Sequence, residues 1–388
     1  MHISLIGTRG VPARYGGFET CVEEVGRRLA DMGEQVTVYC RVPNGDDSRP
    51  SQYLGMRLVH LPAMRRKTLE TLSHTALSVG HAIAHRCDVA FVFNAANAPL
   101  LPLLRLAKVP VITHVDGLEW KRAKWSGAGQ RYYRRAEALA VRWSDALIAD
   151  AKGISDYYLE RFGVDTDYIP YGAPKLTEAG TNRLAELDLS PHGYHLVVAR
   201  MEPENHVHLA VEGYRRSSAT RPLIVVGSAP YAQEYTDRVH SLAGQDPRIR
   251  FLGGVWDQEL LDQLYAGALT YVHGHSVGGT NPSLLRAMGA GTATSAYDVN
   301  FNREVLGEPG RYFRNAAGLA ALCEQAEADE SATLARGKAL LGTLDRYDWD
   351  VVARDYRALA ARVLARRHGL SRTDSARTDS VGTRPRPH

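Results

Sequence analysis

Residues Tyr271 to Met288, reading YVHGHSVGGTNPSLLRAM, carry the side chains and glycines best arranged for chemistry. A β-branched and aromatic run ends in His273-Gly274-His275, the pair Gly278-Gly279 follows, and Asn281-Pro282 opens a segment of good helix formers. This order predicts a strand, a tight loop and a helix. Asn281 is a preferred N-cap, and Pro282 suits the first helical position because its missing N–H would have no partner there. The glycine pair lets backbone come close to a ligand. Backbone amides and the positive end of the helix dipole then face an anion, most naturally a phosphate. A plain helix cap explains the same residues without a ligand.

Two more groups sit where chemistry is done. Gly16-Gly17 precede a helical pattern with Glu19 in its first turn, either a second ligand loop or a glycine turn with a carboxylate on the helix dipole. The run VPVITHV ends in His114-Val115-Asp116-Gly117, and ligands in α/β sheets bind beyond the C-terminal ends of the strands. His114, Asp116 and Glu119 are therefore candidates for a cleft.

The elements that must position these groups follow from periodicity. Ile3 to Gly7 is a short apolar run, and Val22, Val25, Leu29 and Met32 recur at helical steps between Phe18 and Met32. QVTVYC is the next strand. The result is the β-loop-α-β opening of a doubly wound domain. Its loop, Gly7-Thr8-Arg9-Gly10, lacks the G-x-G-x-x-G spacing of a nicotinamide enzyme. Further strands read at DVAFVFN, VPVITHV and SDALIAD, and the proline- and glycine-containing IPYGAP marks an exit. The alternation restarts at HLVVAR and repeats through PLIVVG, RIRFLG, TYVHG and TATSA. The expected fold is α/β, two Rossmann-like domains in tandem. Their ranges are 1–172 and 173–348, with an arginine-rich amphipathic helix over 349–367 closing the fold and a basic, disordered tail over 368–388.

Composition bounds the function. The chain has 388 residues, too many for one hydrophobic core, and 44% apolar with 23% charged residues is ordinary for a soluble protein. No apolar run approaches the roughly 20 residues of a membrane span, and MHISLIG lacks a secretory pattern, so the expected location is the cytosol. Cys21, Cys40, Cys87 and Cys323 show no C-x-x-C spacing, against a disulfide framework or a zinc site. The net charge of +4 is too small to imply nucleic acid. Its placement is uneven: Arg131, Arg134, Arg135 and Arg142 share a helix with Tyr132, Tyr133 and Trp143, near Lys121, Arg122, Lys124 and Trp125. Such a surface suits anionic lipid headgroups or is a solvated helix face.

Five blocks carry a resemblance: GTRGVPARYGGFET, VDGLEWKRAKW, ARMEPEN, HGHSVGGTNPSLL and DVNFNREVLG, spread in order over residues 7 to 307. Together they resemble the GT-B retaining glycosyltransferases of family 4, and more closely the bacterial rhamnosyltransferases of capsule and exopolysaccharide assembly. The resemblance implies a nucleoside-diphosphate sugar as donor and a saccharide or lipid-linked saccharide as acceptor. It implies no metal and no resident cofactor. The two D-x-D occurrences, Asp165-Thr166-Asp167 and Asp348-Trp349-Asp350, are read as chance loop sequences. Carried over residue by residue, Arg200 reaches the leaving diphosphate, whose developing charge needs positive groups and amides. Gly278, Gly279, Thr280, Asn281 and Ser283 cradle it, and Gly16 and Gly17 close over it from the other domain. Asp116 contacts a sugar hydroxyl, and Phe18, Glu19, Glu119 and Trp120 line the acceptor side.

The sequence departs from the broad family at four places. Aspartate stands at Asp116 where many relatives have histidine, Asn205 stands where a phosphate-binding lysine is usual, and Gly278 and Arg286 replace a pair of glutamates. Arg286 then either adds the cation that Asn205 lacks, tolerates a donor without the 2′-hydroxyl, or turns outward to an acidic neighbour. The expected activity is a retaining, metal-independent hexosyl transfer, possible at the inner face of a membrane. A nucleotide-sugar epimerase and a degenerate, binding-only relative are the alternatives.

Overall fold

The computed structural model describes residues 1–13, 16–42, 49–64, 69–115, 117–122, 125 and 127–379. Its first sheet holds β1 (His2–Ile6), β2 (Gln35–Arg41), β3 (Gln52–Tyr53), β4 (Met56–Leu61), β5 (Val89–Phe93), β6 (Val111–Val115), β7 (Ala146–Ala149) and β8 (Asp167–Tyr168). The strand order is β3-β4-β2-β1-β5-β6-β7-β8, parallel except for the β3–β4 edge pair. β5 and β6 are buried at every position, as expected of strands covered on both faces. Helix α1 (Gly17–Asp31) packs Cys21, Val22, Val25 and Leu29 on one face. The other face is covered by α2 (Glu70–Ala84), α3 (Leu101–Leu106), α4 (Gly127–Trp143) and α5 (Lys152–Phe162), whose buried Val79, Leu104, Ala140 and Ile154 share a second core.

The second sheet repeats the plan with β9 (His195–Val198), β10 (Leu223–Val226), β11 (Ile249–Gly253), β12 (Thr270–His273), β13 (Ala293–Tyr297) and β14 (Arg311–Phe313), in the parallel order β11-β10-β9-β12-β13-β14. Around it lie α6 (Val207–Arg216), α7 (Gln233–Ala243), α8 (Gln258–Ala266), α9 (Pro282–Gly289), α10 (Asn300–Leu306), α11 (Ala316–Ala328) and α12 (Glu330–Leu341). The chain reverses direction across each sheet between β1 and β5 and between β9 and β12. Those reversals open a crevice at the strands' C-terminal ends.

Helix α13 (Trp349–Asp379) returns from the second lobe and packs on α1 of the first. Val352, Tyr356, Leu359, Ala360 and Val363 form its buried stripe at helical spacing. Its ion pairs Arg28–Asp350, Arg357–Glu34, Arg362–Asp167 and Arg367–Asp145 all reach acids or bases of the first lobe. Exposed pairs are worth little each, so the apolar stripe holds the helix. Among the described residues the last buried position is Val363, close to the boundary read from sequence. The backbone is helical to Asp379, and 380–388 lie outside the described residues. Both D-x-D motifs begin in loops, Asp165 and Thr166 before Asp167 opens β8, and Asp348 accepting the Asp350 amide at 2.7 Å just before α13.

At the joint, the Tyr356 hydroxyl lies 2.7 Å from His114 Nδ1 and 3.5 Å from Cys21 Sγ. Burial pushes the His114 imidazole down to about 3, so the ring is neutral and its Nδ1 pairs with that hydroxyl. Tyr356→Phe leaves a buried ring nitrogen unpaired and is expected to cost about 1–3 kcal/mol, read as a lowered urea midpoint at unchanged slope. A midpoint equal to wild type would show that the hydroxyl does not hold the joint.

Candidate active site

The two crevices face each other, and the lobes meet backbone to backbone. A Cβ on Gly117, just past β6, would lie 2.5 Å from the Gly278 carbonyl carbon, in the loop after β12. A Cβ on Gly279 would run into the Asp150 carboxylate at the end of β7, and the Thr280 hydroxyl donates to the Asp150 carbonyl. Gly17, opening α1, stands 3.5 Å from Pro282, opening α9, measured from its missing Cβ. The Lys152 amide at the head of α5 donates to both oxygens of Glu304 on α10, at 3.1 and 2.9 Å. The loops expected from sequence to form a cleft are thus together, one set from each lobe.

Within the second lobe two loops are tied into one cradle. Ser276 gives both its amide and its hydroxyl to the Glu204 carbonyl at 3.0 Å, and His206 Nδ1 sits 2.8 Å from the Gly274 carbonyl. Gly278 has φ +131, a conformation open to glycine. The N-cap read from sequence is present: Asn281 Oδ1 accepts from the Ser283 amide at 3.0 Å and its hydroxyl at 2.7 Å. Asn281, Ser283 and Thr280 therefore spend polar atoms on the protein, and the loop backbone at Gly278 and Gly279 is the part of the cradle that borders the other lobe.

Charge in the cleft is organised by carboxylates. Arg200 Nη2 lies 3.2 Å from Glu202 Oε2, and the Tyr231 hydroxyl donates to Glu202 Oε1 at 2.7 Å. Asn205 is buried with its side-chain amide on the Arg200 carbonyl at 2.9 Å, so it shapes the loop. Arg286 corrects an expectation. Its guanidinium pairs with Asp262 on α8, the outward reading, and so adds no uncommitted cation to the cleft.

On the first lobe, Glu19 accepts from the Arg9 amide at 3.0 Å and crowds Gly16, the structural alternative for that carboxylate. Phe18 stands edge-on to His114 and Phe93, with ring centroids 5.1 and 5.6 Å away. Glu119 is buried, 2.6 Å from Arg122 Nε, and accepts from the Trp125 indole at 3.3 Å. Trp120 lies under the Arg134 guanidinium at 4.3 Å. Asp116 and Lys124 lie outside the described residues.

Three residues at this meeting place were not selected from sequence: Asp150, Glu202 and Arg122 as a cleft group. Asp150 follows a strand end just as Asp116 does, so the same rule would have found it. Its buried Oδ1 has no hydrogen-bond partner, and burial drives its carboxyl up to about 8.

Two family models match the chain, Glycosyl transferase 4-like domain over residues 16–172 and Glycosyl transferases group 1 over residues 193–329. They fall on the two lobes. The chain is similar to O-antigen chain mannosyltransferase B of Escherichia coli, 26% identical over 154 residues, a stretch that is 39% of this chain and 39% of that protein. Among solved structures it is similar to sucrose-phosphate synthase from Thermosynechococcus elongatus, with TM-score 0.79 and 21% identity over 94% of this chain and 99% of that one. It is also similar to Anabaena Alr3699/HepE in complex with UDP-glucose, with TM-score 0.74 and 17% identity over 93% and 100%. These likenesses establish the GT-B fold.

The raised carboxyl of Asp150 sets a pH dependence. Its folded pKa is about 8 against an ordinary 3.8, because burial disfavours the carboxylate, so the folded chain is stabilised with the neutral carboxyl relative to the charged one. That contribution is complete below pH 3.8 and is lost as pH rises toward about 8. Asp150→Asn keeps the shape without the charge. It should match wild type near pH 4 and exceed it increasingly up to pH 8, the gap widening by at most about 1.4 kcal/mol for each step of one in pH. Parallel stability–pH curves for the two proteins would refute the assignment.

Proposed function

We propose that this chain, a GT-B glycosyltransferase joining a glycosyl transferase 4-like domain to a group 1 domain, moves a hexose from a nucleoside diphosphate to a saccharide acceptor carried on a lipid. The observation that carries the reading is the cleft itself: the Arg200 loop and the Gly278–Gly279 loop of one lobe face Gly17 and Gly117 of the other. Rhamnose is the sugar we favour, from the five sequence blocks.

In the reaction the bond between the sugar's anomeric carbon and the diphosphate oxygen breaks while the acceptor oxygen bonds to that carbon. Negative charge grows on the leaving diphosphate, where Arg200, loop amides and the head of α9 oppose it. In the retaining course we propose, the acceptor arrives on the same face and its proton passes to the phosphate oxygen. No metal is needed for that charge balance. Asp116, directly after β6, orients a sugar hydroxyl, and Phe18, Glu119 and Trp120 border the acceptor. Binding without turnover is the second reading, supported by Arg286, which faces Asp262 where family members carry a ribose-binding glutamate.

The test is a titration of uridine, guanosine and deoxythymidine diphosphate sugars, with and without membrane-extracted acceptor, in the presence of a chelator. Acceptor-dependent release of nucleoside diphosphate in chelator is expected. Release that needs added magnesium or manganese would sink the metal-free course, and sugar epimerisation without acceptor would favour the epimerase. Donor binding with no release would leave the binding-only reading.

A lipid-linked acceptor fits the outer face of α2, α3 and α4. Arg131, Arg134, Arg135 and Arg142 are exposed along α4, and none has an ion pair among the described residues. Beside them Leu77 on α2 and Leu103 and Leu106 on α3 are exposed, Leu106 to 81%. The acid on these helices nearest solvent, Glu70, is tied to Arg41. Among the described residues no helix is long and apolar enough to cross a membrane. Contact would be peripheral, with arginines at the headgroups and leucines below them. Replacing Arg131, Arg134 and Arg135 by glutamine should weaken binding to anionic vesicles by about 1 kcal/mol per charge, and wild type that stays off such vesicles would point to a soluble acceptor.

A further inference from the structure

The loop after β6 brings a second arginine to the point that Arg200 occupies. Arg122 Nη1 lies 4.0 Å from Glu202 Oε2, the same oxygen that stands 3.2 Å from Arg200 Nη2. Arg122 belongs to the first lobe and Arg200 to the second. One buried carboxylate oxygen is therefore shared by guanidiniums converging from both sides of the cleft. Glu119 Oε2 lies 2.6 Å from Nε of the same Arg122 guanidinium.

We propose that Arg122 and Arg200 together bind the diphosphate of the donor, one arginine from each lobe, and that Glu202 fills their shared anion position until the donor displaces it. The proposal rests on reading this cleft as the donor site. Two observations support it. Asn205 stands where the family resemblance expects a lysine, and its amide is spent on the Arg200 carbonyl. Arg286 is committed to Asp262. The second lobe thus brings Arg200 to this position without the usual lysine partner, while a diphosphate carries about two charges. Arg122 supplies the missing one, and a guanidinium's planar fork suits phosphate oxygens.

The close approach of Gly117 to Gly278 is what puts Arg122 within reach, since the loop leaves the first lobe at that contact. His275, on the β12 loop, feels both charges. Burial first, then His273, Arg200 and Arg122, hold its imidazole well below the ordinary range. Donor binding would then depend on the lobes being together, because half of its charge comes from each.

The experiment measures binding of inorganic pyrophosphate, of nucleoside diphosphates and of the matching nucleosides to the full chain by calorimetry. Arg122→Gln should weaken pyrophosphate and diphosphate binding tenfold or more and leave nucleoside binding unchanged, which also reports that the variant is folded. Glu202→Gln removes the competing carboxylate, keeps both arginines, and should tighten the same ligands several-fold. Arg122→Gln with wild-type affinity for pyrophosphate would overturn the proposal, and so would weaker binding by Glu202→Gln. Wild type that binds pyrophosphate through Arg122 but no nucleoside diphosphate would overturn the transferase reading and keep the arginine pair. Wild type that binds none of these ligands would overturn both.

Discussion

Everything in the cleft depends on two backbones touching where a side chain would not fit. Gly117 lies against Gly278, and Gly279 against the Asp150 carboxylate, so the β6 and β7 ends of one lobe close on the β12 loop of the other. Any larger residue would force the lobes apart by the depth of a methyl group at least. Arg122 and Arg200 could then no longer share one oxygen, and Thr280 would lose the Asp150 carbonyl. The glycines are needed here for closeness more than for turn geometry. Helix α13 works toward the same end from outside, since it leaves the second lobe and buries Tyr356 beside His114 at the base of the β6 loop.

The fold was legible because parallel strands covered on both faces are continuous apolar runs. DVAFVFN, VPVITHV and HLVVAR could be read without any partner, and each is a central strand. The strands missed are β3, β8 and β14, of two or three residues, and β4, which lies toward the sheet edge. Short edge strands take their conformation from a neighbour already in place, and no local period reveals that. The site divides in the same way. The Asn281 cap is a local interaction between residues two apart and was predicted as found. The meeting of Arg122 with Glu202 joins positions 80 apart in sequence through two independent loops, which no pattern within either loop encodes.

Several residues assigned to ligands by resemblance have partners inside the protein: Glu19 on the Arg9 amide, Thr280 on the Asp150 carbonyl, Asn205 on the Arg200 carbonyl. The reason is general. A polar group near a closed interface is costly unless paired, and these three are paired within the protein. Such pairing does not have one meaning. Asn205 is buried and holds a carbonyl of its own loop, so a ligand would gain nothing by competing for it. Glu202 Oε2 instead lies at ion-pair distance from two guanidiniums without a hydrogen bond, so a phosphate oxygen that took its place could form the charge-assisted hydrogen bonds it does not make.

The arginines of this chain can accordingly be sorted by what already neutralises them. Those on α13 face acids of the first lobe across a surface, and their work is finished in the folded chain. Those on the outer face of α4 have no acid within ion-pair distance among the described residues, and their field extends into solvent, where a headgroup layer would meet it. Arg122 and Arg200 fall between: each is matched by carboxylate, yet in the ladder Glu119–Arg122–Glu202–Arg200 one acid serves two bases at distances of 3.2 and 4.0 Å. Two guanidiniums, one from each lobe, thus converge on one carboxylate oxygen. Under the proposal that the donor binds here, a dianion can meet both guanidiniums at once, as a neutral sugar cannot, so its charge would be read at the contact between the lobes.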